Sequence, residues 1–224
     1  MSARLAVPYR AYLQSAPALA VYAAFLIIPL ASIGLISFQH FEFYGGIQPG
    51  FTLKNYQEVL GDSYYWEIFG RTFAIAALVT LFCGVLGTLE AIVLYRMADP
   101  WRSLFLLVVL GPLLISVVVR TLGWALLFGS TGLINKALLN LGLVAEPIQF
   151  MYSTTGVVIA LVHVLVPFMV ISVWASLQRL DPQVENAALS LGASTFTVMR
   201  RVVLPQVVPG VLSGAIIVFA LSQR

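Results

Sequence analysis

Ionisable side chains are scarce within the apolar runs of this 224-residue chain, and Glu90, Arg120 and His163 stand out because each is set in a long hydrophobic stretch. A charged group in hydrocarbon costs about 2.5–3.5 kcal/mol on insertion scales, so such residues face protein, water or the membrane interface and become candidates for contact with a passing solute. Bond-breaking chemistry would need more. His40 and His163 are far apart, no H-E-x-x-H pattern would hold a zinc ion, and no G-x-x-x-x-G-K-S/T segment would cradle nucleotide phosphates. The expectation is therefore a chain that is not an enzyme, uses no metal or cofactor, and takes any nucleotide energy from a separate subunit. A second constellation is Glu185-Asn186-Ala187-Ala188-Leu189-Ser190-Leu191-Gly192-Ala193-Ser194, closed by Leu204-Pro205. It is polar at its tip, broken by a glycine, and lies between two long apolar stretches. Its chemistry is recognition: a compact docking element at a membrane surface, read by another protein. An ordinary linker between spans is the plain alternative.

The composition dictates what positions these residues. Hydrophobic residues make up 60% of the chain, charged residues 9%, and mean hydropathy is +0.97. Several runs approach or exceed the roughly 20 residues that a helix needs to cross about 30 Å of hydrocarbon. Backbone groups in lipid must be satisfied within the segment, which favours helices, and the alternating segments of about ten residues that mark a β-barrel are absent. The fold class expected is all-α, a polytopic transmembrane bundle forming one domain over 1–224. About five spans are expected, near Ala16–Phe38, Thr72–Tyr95, Ser103–Phe128, Thr154–Leu177 and Val207–Leu221. Arg4 and Arg10 precede the first run, but that run exceeds a signal core of about 7–15 residues and reads as an uncleaved helix. The single cysteine, Cys83, lies in an apolar run and forms no internal disulfide.

Net charge is +3 and the isoelectric point about 9.2, yet the basic residues are scattered in ones and twos, which argues for orientation rather than nucleic acid. Arg4, Arg10, Arg96, Arg102, Arg179, Arg200 and Arg201 fall on one side, against Lys54, Arg71 and Lys136 on the other. The first side is thus expected to be cytoplasmic, with the N-terminus inside and a cytosolic loop at 178–206. On the opposite side, Phe43-Tyr44-Gly45-Gly46, Gln48-Pro49-Gly50 and Asn55-Tyr56 mark a folded loop. Leu133, Ile134, Ala137, Leu138 and Leu141 share the face of a short interfacial helix that Ser130 or Thr131 could cap.

Within the cytosolic loop, Asp181 can cap a helix whose first residue is Pro182, and Glu185 lies near the positive end of its dipole. Ala187, Ala188 and Leu191 form a small-residue face. Gly192 permits a bend, and Ser194 can cap a second helix running through Phe196, Met199 and Val203. Leu204-Pro205 then precedes the next crossing, where Pro209-Gly210 can redirect the chain.

This segment resembles the loop of permease subunits in binding-protein-dependent ABC importers, whose pattern is Glu-Ala-Ala, three residues, Gly, nine residues, an aliphatic residue, one residue, then Leu-Pro. Ala187, Ala188, Gly192, Val202, Leu204 and Pro205 match in register, while Asn186 stands where the family has Glu and Glu185 comes one residue early. Val119-Arg120-Thr121, Trp124, Gly132-Leu133-Ile134-Asn135, Glu146-Pro147 and Val166-Pro167-Phe168 look like the polyamine-type (spermidine/putrescine) branch. The resemblance implies a multi-pass protein of the bacterial inner membrane with a type I importer fold. It also implies a second permease subunit, cytosolic ATPase subunits and an extracytoplasmic solute-binding protein. Glu185, Asn186, Ala187, Ala188, Gly192, Ala193, Leu204 and Pro205 become the expected ATPase-coupling residues. Relative to the family the final transmembrane helix is expected to be missing, which leaves a shortened, inactive permease as one alternative and a stand-alone carrier or channel as another.

The pathway candidates are Arg120, Trp124, Glu90 and His163. Arg120 can snorkel to the interface or line the pathway beside Trp124; a cationic solute would be repelled by it unless an acid neutralised it. Glu90 can pair with Arg96 or Arg102, or meet solute. His163, just before a kink expected at Pro167, can bond within the bundle or bind solute, and Gly111-Pro112 marks another expected kink.

Overall fold

The computed structural model describes residues 9–42 and 44–223; Arg4 and Phe43, used in the sequence reading, lie outside the described residues. Two compact units divide at Ile68/Phe69. The first begins with α1 (Tyr9–Ser37), an apolar helix that leaves Phe25, Ile28, Leu30 and Ile33 exposed. A short antiparallel hairpin follows, β1 (His40–Glu42) against β2 (Gly46–Gln48), with Phe41 opposite Ile47. It is the one addition to the helical class among the described residues.

The loop expected after the first span is folded, and helix α2 (Lys54–Gly61) is stitched to the end of α1. The Asn55 amide donates to the carbonyls of Ser37 and Gln39, both at 2.9 Å, and the Ser37 and Tyr56 hydroxyls lie 2.8 Å apart. Phe38 stacks on Phe51 with centroids 5.1 Å apart. These bonds satisfy backbone groups at the helix end that would otherwise lack partners.

The second unit contains most of α3 (Ser63–Arg96), then α4 (Trp101–Leu114), α5 (Val117–Phe128), α6 (Leu133–Asn140) and α7 (Thr154–Leu177). It ends with α8 (Pro182–Ser190), α9 (Thr195–Val198), a π-turn at Met199–Val203 and α10 (Leu204–Leu221). The buried stripe of α3 is Ala76, Val79, Cys83, Gly87, Ala91 and Leu94, spaced by three and four residues as one helical face requires. Val207, Gly210, Gly214 and Val218 form the matching stripe on α10. Small residues let apolar helices approach closely, and here α7 fills the notches. A Cβ on Gly87 would lie 2.7 Å from Met169 Cγ, and one on Gly214 would lie 2.6 Å from Met169 Sδ, so this methionine occupies space that two glycines vacate.

Five helical stretches are long and apolar enough to cross a membrane: Gln14–Ser37, Ser63–Arg96, Val117–Asn140, Thr154–Leu177 and Thr195–Leu221. Two expectations need correction. The single third span drawn at Ser103–Phe128 is broken: α4 stops at Leu114, Ile115 and Ser116 are extended (ψ 132° and 142°), and α5 starts afresh. The chain thus turns a few residues past Pro112, whereas helix α7 continues through Pro167. The last span is longer than Val207–Leu221, because helical backbone runs from Thr195 to Leu221 and passes Pro209-Gly210, where a redirection of the chain is expected. A π-turn carries it past Pro205. Leu204 N–H bonds to the carbonyl of Met199, five residues back, immediately before the residue that has no N–H to give.

The cap of α6 is Gly132, without a side-chain bond, rather than Ser130 or Thr131. Its buried residue is Asn135, which donates to the carbonyls of Gly129 (3.0 Å) and Ile148 (2.9 Å) and accepts from Ile148 N–H (2.8 Å). A polar side chain, more than the apolar face, therefore fixes the connection between α6 and α7.

Candidate functional site

The α8–α9 hairpin is built by its caps. Asp181 accepts the N–H of Gln183 at 2.9 Å, with Pro182 at the first helical position. At the other end, Gly192 has φ +85°, its N–H bonds to Leu189 O at 2.9 Å, and Ala193 N–H bonds to Ala188 O at 3.2 Å. This pair of bonds around a left-handed glycine is a Schellman closure, which satisfies the last carbonyls of α8 and reverses the chain. Ser194 then accepts from Thr197 N–H at 3.3 Å and starts α9.

Asn186, Ala187, Gly192, Leu204 and Pro205 are exposed, and Ala188 and Ala193 half-buried. The tip presents Leu191 and Phe196, 89% and 75% exposed. The sequence places Leu191 on the face shared with Ala187 and Ala188 and Phe196 on the second helix, but does not mark either as a coupling residue, because a lone Leu or Phe in an apolar chain carries no signal of exposure. Glu185 turns away from this surface. Its side chain is 18% exposed, and its carboxylate lies 3.5 Å from the guanidinium of Arg96, the last residue of α3.

That pairing displaces one sequence expectation. Arg96 is engaged by Glu185, and Arg102 donates through two nitrogens to Met97 O at 3.0 and 2.7 Å, so neither basic residue pairs with Glu90. Six residues along a helix place Arg96 about 120° away from the Glu90 face. Among the described residues Glu90 has no hydrogen bond or ion pair.

Glu90 instead lines a cavity of about 520 Å³ among α3, α4, α5 and α7, together with Leu86, Phe105, Pro112, Trp124, His163 and Pro167. Three of the four pathway candidates thus meet at one place. Trp124 and His163 are edge to face, centroids 5.4 Å apart, and aromatic contact continues from Trp124 to Phe128 (4.6 Å) and from Phe128 to Phe150 (5.5 Å). Arg120 stands beside the cavity and donates to Pro112 O at 3.4 Å, serving one of the carbonyls that the end of α4 leaves unpaired. The arrangement is an apolar-walled space with a few convergent polar groups, the usual make-up of a small-molecule site. Among the described residues no three His, Cys, Asp or Glu side chains converge as metal ligands.

No family model matches the chain. The fold is that of a solved bacterial ABC transporter involved in the import of alginate, with a TM-score of 0.73 over 94% of this chain and 72% of that one at 20% identity. In sequence the chain is 34% identical over 168 residues to the spermidine/putrescine transport system permease protein PotB of Escherichia coli (strain K12), covering 75% of this chain and 61% of that protein. It is 31% identical over 200 residues to the sulfate transport system permease protein CysW of Synechocystis, covering 89% and 67%. The chain belongs to the ABC-importer permease family. Like other ABC-importer permeases it is a multi-pass helical membrane protein, and it spans 58–61% of the length of the first PotB relatives it matches.

Proposed function

We propose that this chain is the subunit that carries solute across the bacterial inner membrane and transmits the work of a cytosolic ATPase. The N-terminus and the loop 178–206 are cytosolic. The α8–α9 hairpin docks on the ATPase through the surface bearing Asn186, Ala187, Gly192, Leu191 and Phe196. The cavity lined by Glu90, Trp124 and His163 belongs to the pathway, which a second permease subunit completes and an extracytoplasmic binding protein feeds. The observation carrying this reading is the Schellman-closed hairpin with an exposed apolar tip, joined without a break to a span. The exposed Leu191 and Phe196 give this tip apolar surface that a docking partner would bury.

The cargo we infer is a polyamine or related small cation. The 34% identity to PotB supports it, and so does the unpartnered carboxylate of Glu90 beside the face-rich Trp124, a setting in which an ammonium group finds both a counter-charge and a π system. Arg120 stands beside the same cavity, and Glu90 is the acid that would offset it for a cationic solute.

Ser194→Cys tests the orientation. Because native Cys83 is fully buried, an impermeant maleimide should label the introduced thiol in inside-out vesicles and not in intact spheroplasts. Labelling from outside would place the hairpin beyond an ATPase and end this reading. Co-purification of an ATPase with the chain separates it from a stand-alone carrier. Glu90→Gln should lower spermidine uptake at least tenfold, whereas unchanged uptake would remove the cation assignment and leave the docking assignment standing.

A further inference from the structure

We infer that the Arg96–Glu185 ion pair is a transmission tie: it fastens the docking helix α8 to the end of α3, so that displacement of the hairpin is delivered to the wall of the cavity. The inference rests on the proposed docking role of the hairpin. It starts from a departure in sequence, since the acid comes one residue before the family position. One residue is about 100° of helix rotation, enough to take a side chain from an outward to an inward face. The structure has made that turn. Asn186 is exposed while Glu185 is 18% exposed and bonded inward.

The receiving end of the tie matters as much. Arg96 closes the same helix that carries Glu90 and Leu86 to the cavity, about 9 Å and 15 Å away along its axis. Between them Gly87 is notched onto Met169, so α3 cannot slide without moving its neighbour. The pair is also incompletely made. One carboxylate oxygen of Glu185 is 3.5 Å from Arg96, and the other is buried with no hydrogen-bond partner among the described residues. A guanidinium offers two parallel N–H groups to a carboxylate, so a small approach of α8 to α3 would convert one long contact into a two-bond fork and satisfy the orphaned oxygen. Glu185 and Arg96 are thus positioning residues that act on the cavity through α3 and touch no solute.

The test uses the transporter assembled with its ATPase in inside-out vesicles, carrying Leu86→Cys as reporter of the cavity wall. With the pair intact, ATP plus vanadate should change the rate at which the reporter thiol reacts with a maleimide. Glu185→Gln and Arg96→Gln should each reduce that change about fivefold, the bias available from a half-exposed ion pair at the top of its usual range, while the ATPase still co-purifies. The exchanged pair Arg96→Glu with Glu185→Arg should restore it, which loss of fold would not do. A full nucleotide response in the single variants overturns the tie. So does failure of the exchange in an assembled complex, or release of the ATPase by Glu185→Gln, because the acid would then be reading the partner directly. If the unmodified complex binds no ATPase, the docking role itself has failed, a result distinct from all of these.

Discussion

Replacing Gly192 by valine isolates backbone conformation from packing. An added Cβ at this position would meet nothing within 4 Å, so no steric conflict with neighbours enters the balance. The cost comes from φ +85°, in the left-handed region that an L-residue occupies at about 1–2 kcal/mol and a β-branched one at more. If the chain escapes that strain, it gives up the Schellman bonds from Gly192 and Ala193 to Leu189 and Ala188, and the direction in which α9 leaves α8 is lost. A penalty of at least about 1–2 kcal/mol lowers the closed-to-open ratio of the hairpin by at least roughly 5–30-fold. ATPase co-purified per permease, and spermidine-stimulated ATP hydrolysis in proteoliposomes, should fall towards that factor in the limit where closure is marginal, with membrane insertion unchanged. Gly192→Asn should fall least, because asparagine tolerates the left-handed region, and Gly192→Ala should lie between. Equal coupling for valine and glycine in a correctly inserted complex would refute the argument, as would asparagine behaving like valine.

Gly210→Val should destabilise the bundle by about 1–3 kcal/mol, since its Cβ would come within 2.8 Å of the Ser172 carbonyl, which side-chain motion cannot relieve; a lowered Tm in detergent would register it. Asn135→Ala removes three hydrogen bonds and leaves the Ile148 N–H without its partner, while the Gly129 and Ile148 carbonyls keep the N–H groups of Gly132 and Phe150; the cost is about 1–3 kcal/mol, and limited proteolysis of the 146–150 segment should accelerate. Asp181→Ala should cost about 1 kcal/mol locally and raise hydrogen exchange in the first turn of α8 while sparing α7.

Local rules carried the sequence reading furthest where a residue acts on its neighbours. Asp181, Pro182, Gly192 and Ser194 were legible because capping and left-handed closure are decided within a few residues. The helical spans were legible because lipid leaves the backbone no alternative. Pro112 signalled a disturbance, but the break itself falls at Ile115 and Ser116, and Arg120 returns from α5 to donate to the Pro112 carbonyl. Arg96 could not be paired correctly because Glu185 lies in a distant part of the chain, whereas Glu90, nearby in sequence, points to another face. The meeting of Glu90, Trp124 and His163 likewise depends on how α3, α5 and α7 pack, which periodicity along one helix does not encode. The π-turn escaped because a proline reads as a stop, although backbone that lengthens one turn can pass it.

From Thr195 to Leu221 the chain is one helical rod of 27 residues, about 40 Å long at 1.5 Å per residue, with one end beside the hairpin tip. Pivoting such a lever by 10° sweeps its distal end through about 7 Å, more than the diameter of a water molecule or an ammonium group. On the proposed docking role, a partner that tilts the rod about its near end would turn a small rotation into a displacement of that size at the other end.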